Sequence, residues 1–164
     1  MSFFSDSQEK TKKFILLAVL LLFVLYWLIK EQWQIINIWS QILLFIFAYG
    51  LGLFLMLGDE KYLQKIYADE LEKKILITRS PLFLLILPLL SIFMLSSTGS
   101  LAGMGLIMAI NLVVIIEIWQ LAPKQKVFNQ YFLQGVKKQI ALSEIKIIKM
   151  AVLIYFLLLL FLLR

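Results

Sequence analysis

The chain contains no cysteine and no histidine. The first absence removes disulfides, thiol redox chemistry and thiolate metal sites, and the second removes the commonest metal ligand and acid/base side chain. Charge is also scarce, at 16% of 164 residues, where ordinary globular chains carry about 25%. No glycine-rich phosphate loop with its lysine occurs, no metal-spaced carboxylate cluster lies within an apolar run, and no serine sits in a nucleophile-elbow context. These absences predict a protein that is not an enzyme and uses no cofactor.

What remains is apolar. Hydrophobic residues make up 62% of the chain, well above the roughly 45–50% of soluble domains. A hydrocarbon core of about 30 Å asks for about 20 mostly apolar residues in helical form. Five runs meet or approach that length, at about 14–29, 35–57, 81–97, 101–121 and 147–163. None alternates with period two, which argues against a transmembrane barrel. The expected fold is all-α: a polytopic integral membrane protein of five transmembrane helices, with residues 1–13 as a cytoplasmic N-terminal segment and 14–164 as one membrane domain. The first run follows Lys10, Lys12 and Lys13 but ends in Tyr26, Trp27 and Lys30 instead of a small-x-small site, so it reads as an uncleaved signal anchor.

Charge placement predicts orientation. With the N-terminus and the connections after the second and fourth runs on one side, 14 of the 16 basic residues fall there and only Lys30 and Arg164 fall opposite. The positive-inside rule makes the crowded side cytoplasmic. The N-terminus is then inside and the C-terminus outside, in a multi-pass protein of the cell membrane. The formal net charge of +6 is topogenic on this reading and attracts anionic headgroups; no compact basic motif supports nucleic-acid binding. Tyr26, Trp27, Trp33 and Trp39 around the outer turn, and Trp119 near the inner end of the fourth run, fit interfacial belts.

Two cytoplasmic segments carry helical periodicity. Leu63, Ile66, Tyr67, Leu71 and Ile75 predict an interfacial amphipathic helix over about 59–79, ended by Pro81. Val127, Phe128, Tyr131, Phe132 and Val136 predict a second over about 124–142. At an offset of 65 residues the two segments align weakly, and the same offset superposes the second run on the fourth and the third on the fifth. Either a parallel duplication or chance likeness between two lysine- and isoleucine-rich helices accounts for it.

Few side chains within the runs can carry chemistry. Glu117 is the one ionisable candidate, and an acid at such a position is a functional hypothesis by default. Its structural reading is a pair with Lys149, which starts the fifth run at similar depth; its functional reading is a proton or cation site. Asn37 and Gln41 share a face of the second run with Ala48 and Gly52, and Asn111 lies in the fourth. That face predicts helix packing through small residues, as does the Gly105 and Ala109 pair, or else a polar vestibule lined by Asn37 and Gln41 and reaching Asn111. Pro88 predicts a bend in the third run. Two functional classes follow. One is a non-catalytic membrane protein acting through lipids, a membrane-protein partner or a second copy, as an assembly, scaffold or accessory subunit. The other is a small transporter or channel subunit with a polar face on the second run.

Overall fold

Ser80 and Pro81 show how local chemistry starts an element. Proline disfavours helical backbone in the residue before it, and Ser80 is extended at φ −68° and ψ 150°. Its hydroxyl oxygen accepts from the Phe83 backbone N–H at 3.2 Å. That is an N-cap serine with proline at the first helical position, where the missing N–H costs nothing. The computed structural model describes residues 6–30, 35–59, 76–97, 100–134, 136 and 139–162. Among them are six α-helices and no strand: α1 (Asp6–Lys30), α2 (Ile35–Gly58), α3 (Pro81–Ser97), α4 (Leu101–Leu121), α5 (Gln125–Phe132) and α6 (Leu142–Leu162). The five apolar runs therefore appear as five long helices. Two, over Trp39–Gly58 and Leu101–Leu121, are long and apolar enough to cross a membrane, and Pro81–Ser96 is a shorter apolar helix. Pro88 lies inside α3, which continues across it.

Four helices surround α4. Contacts across the pairs give their directions. Gly105 approaches Phe45 and Tyr49 while Gly52 approaches Leu106 and Ala109, so α2 and α4 run parallel. Along α1, Lys12 meets Glu117, Leu16 meets Tyr49 and Phe23 stacks on Phe45, so α1 runs against both. Ser91 and Tyr155 both reach Asn111, while Arg79, ahead of α3, and Lys149, early in α6, lie near Glu117 and Trp119, which sets α3 and α6 against α4. The long helices thus alternate in direction along the chain. One apolar core joins them, from Leu16 through Phe45, Tyr49, Leu87 and Val113 to Ile145.

The α2–α4 pair is the most extensive helix contact, and small residues permit it. A Cβ on Gly105 would stand 2.5 Å from the Phe45 carbonyl oxygen, and one on Gly52 would stand 2.8 Å from both the Leu106 carbonyl oxygen and the Ala109 Cβ. Ala48 and Ala109 are buried in the same seam. Ala48-xxx-Gly52 faces Gly105-xxx-Ala109, a close backbone approach of the small-xxx-small kind. The packing expected of these residues is found.

The connecting segments differ from expectation. Residues 60–75, most of the first amphipathic helix, lie outside the described residues. Its last part is not α-helical: Leu76 is extended and Ile77–Arg79 form one 3-10 turn. Side chains take the backbone donors there, since Leu76 N–H donates to Gln134 Oε1 at 2.6 Å and Thr78 N–H to Asp59 Oδ2 at 2.7 Å. The second amphipathic helix is only eight residues, Gln125–Phe132, where the pattern predicts 124–142. Its continuation is replaced by a return segment: Gln125 and Asn129 donate side-chain amides to the Ile140 carbonyl at 2.9 and 3.2 Å, and Ile140 N–H donates back to Asn129 Oδ1 at 3.3 Å. One face of α5 is buried through Phe128, Tyr131 and Phe132, while Lys126 and Gln130 are exposed on the other. The fifth long helix begins at Leu142 instead of 147, because Glu144 reaches back to the Ala141 N–H at 2.8 Å, the acidic half of a capping box.

Candidate functional site

At the end of the bundle where α1 begins, the chain gathers its buried charges. Arg79 is brought inward by the 3-10 turn and is fully buried, as is Glu117 on α4. The guanidinium grips the carboxylate in a fork, with Nε donating to Oε2 at 3.0 Å and Nη2 to Oε1 at 2.7 Å. Lysine could not reproduce this planar bidentate grip. Nη1 donates to the Met56 carbonyl at 2.8 Å and to the Thr78 hydroxyl, and lies 3.8 Å from Asp59 Oδ2. That contact closes the last turn of α2. The Thr78 hydroxyl in turn donates to Asp59. Lys12 of α1, itself buried, adds its ammonium to Glu117 Oε1. The Tyr131 ring of α5 faces the guanidinium at 5.9 Å, within cation–π range.

Two cations and two anions are therefore enclosed, all at most 5% exposed, and their formal charges cancel. Removing ions from water is costly, and mutual attraction offsets that cost only when geometry is good and the remaining polar atoms are bonded. Glu117 meets both conditions. The arrangement ties α1, α2, α4 and the turn before α3 at one point. Among the described residues no group of acids is placed to hold a metal ion, and the quartet presents no nucleophile with a neighbouring base. What this chemistry does well is hold helices in register.

Asn111 forms a second polar node near the middle of α4. Its amide nitrogen donates to the Ser91 hydroxyl of α3 and to the Ile107 carbonyl, both at 2.9 Å, and its carbonyl oxygen accepts from the Tyr155 hydroxyl of α6 at 3.0 Å. The Ser91 hydroxyl donates to the Leu87 carbonyl at 2.7 Å. The node is buried and links three helices.

The candidate residues do not converge. Lys149 does not pair with Glu117; its ammonium lies 4.0 Å from the Trp119 ring centroid, and Arg79 and Lys12 hold the acid instead. Lys149 follows Glu117 by 32 residues on a neighbouring helix of matching depth, but depth does not decide which side chain faces which. Gln41 is exposed on α2, at the rim of a small crevice that Phe23, Val24, Ile42, Phe45 and Leu101 complete. Asn111 is not among the residues that line that crevice. The side chain of Asn37 lies outside the described residues. Sequence reasoning missed Arg79, Lys12 and Asp59. One signal was present: Arg79 and Arg164 are the only arginines among 16 basic residues, and a lone arginine in a lysine-rich chain suggests a need for the guanidinium fork.

No protein-family model matches this chain, and no curated protein or solved structure is significantly similar to it.

Proposed function

We propose that the chain is a five-span membrane protein, N-terminus in the cytoplasm, that acts without catalysis by binding other membrane components, either a partner protein or lipid. The observation that carries this reading is an inversion. Outward faces of α1, α2, α3 and α6 present Phe14, Leu22, Leu43, Phe47, Leu85, Leu89, Ile147 and Phe161, among others, while Arg79, Glu117, Asp59 and Asn111 are enclosed. In water that distribution would leave a large apolar surface exposed; in a bilayer it is what the solvent asks for. The alternating helix directions match five successive crossings, and the buried charges lie at the end where basic residues concentrate.

A binding role draws support from how the internal polar groups are used. Asn111 and Glu117 engage neighbouring helices, which leaves transport, the second class, with little to recommend it. The outer faces are then the surface through which the protein meets its neighbours. Crosslinking and pull-down from native membranes tests this: a reproducible membrane partner or self-association is expected, and an unshared monomer overturns the protein-partner form of the binding role. Reporter fusions at Ser2 and Arg164 test topology. Opposite sides are expected, and both ends on one side would overturn the five-span count.

A further inference from the structure

α1 is the long helix that brings a lysine to the buried charges. Lys12 and Leu16 are its only buried side chains among those described; α3 and α6 also bury two each, whereas α4 buries fourteen residues. The polar ties of α1 to the core include three toward one end: Lys12 with Glu117, the Leu16 carbonyl accepting from Tyr49 at 3.0 Å, and the Gln8 carbonyl accepting from Gln120 at 3.0 Å. Toward the other end, the Phe23–Phe45 stack, with ring centroids 4.6 Å apart, borders the crevice between α1 and α2. The cluster is asymmetric in the same sense. Arg79, Asp59 and Glu117 belong to the part of the chain after α1 and sum to one negative charge; Lys12 is the cation α1 brings.

We propose that α1 is a detachable helix locked to the α2–α4 core by Lys12, whose ammonium neutralises the surplus charge of the Arg79–Glu117–Asp59 group. Resting on the membrane reading above, in which α1 is one of the five spans, release breaks lateral contacts only. Lys12 is here a positioning residue. Lys12→Ala frees α1 while Glu117 keeps both bonds of the Arg79 fork, so the small-residue seam of α2 and α4 persists.

The absence of cysteine makes this measurable by spin labels at introduced sites. Leu21→Cys with Leu43→Cys reports α1 against α2, and Leu43→Cys with Leu89→Cys reports α2 against α3; all three positions are exposed. Pulsed dipolar distances are read in lipid nanodiscs. Lys12→Ala should at least double the width of the first distribution and leave the second unchanged, and Lys12→Arg should restore the first. An unchanged first distribution overturns the proposal, and so does joint broadening of both pairs, which would make the ion pair a tie of the whole bundle. Solubility without detergent would instead sink the membrane reading, and the same distances measured in buffer would still decide on α1.

Discussion

α3 and α4 have nearly the same hydropathy and opposite fates. α3 exposes Leu82, Leu85, Leu89 and Phe93, while α4 buries most of its length. Apolar content does not separate them. α4 carries Gly105, Ala109, Asn111 and Glu117, and each of these makes a contact that lipid cannot supply: backbone approach, a side-chain amide bonded to two helices, a charge held by two cations. Lipid chains are as apolar as leucine, so a leucine-rich face gains little by being buried against another helix. In this fold, exceptions to hydrophobicity mark the centre.

Five substitutions sharpen that contrast. The largest effect belongs to Arg79→Ala, which leaves Glu117 buried with one partner fewer. Removing one member of a buried pair costs about 3–5 kcal/mol, so the folded, monodisperse yield should collapse. Next is Gly105→Ala against Gly50→Ala. A Cβ at Gly105 meets backbone at 2.5 Å, whereas nothing stands within 4 Å of one at Gly50. The first should cost about 1–3 kcal/mol through overpacking, and the second should be neutral or stabilising by up to about 1 kcal/mol. Thermal unfolding in detergent reads both, and equal effects would break the seam argument. Tyr155→Phe, which removes one bond to Asn111, should cost about 0.6 kcal/mol. Smallest is Leu85→Ala on the exposed face of α3, expected within about 0.5 kcal/mol of the parent.

The helices were legible from the residues because an apolar run of the right length is a local signal, and Pro81 marks where one begins. Small residues on α2 and α4 were legible as packing for the same reason. Partners were not. Glu117 stood out as the ionisable residue within a run, yet the groups that hold it lie 38 and 105 residues away, and periodicity orders residues by depth without saying which helices adjoin. Lys149 had the right depth and faced Trp119 instead. α5 misled in another way: Phe128, Tyr131 and Phe132 repeat as an interfacial helix would, but their apolar face closes the end of the bundle. Under the 65-residue offset the limits of α2 and α4, and of α3 and α6, correspond closely.

Neutralising Glu117 together with Arg79 tests most directly whether the buried charges are internal ties. Glu117→Gln and Arg79→Gln each leave an uncompensated buried charge, while the double variant removes one charge of each sign and leaves Lys12 and Asp59 balanced. Size-exclusion yield of folded protein should fall sharply in each single variant and recover in part in the double. Single variants that behave like the parent, or a double no better than the worse single, would contradict the account.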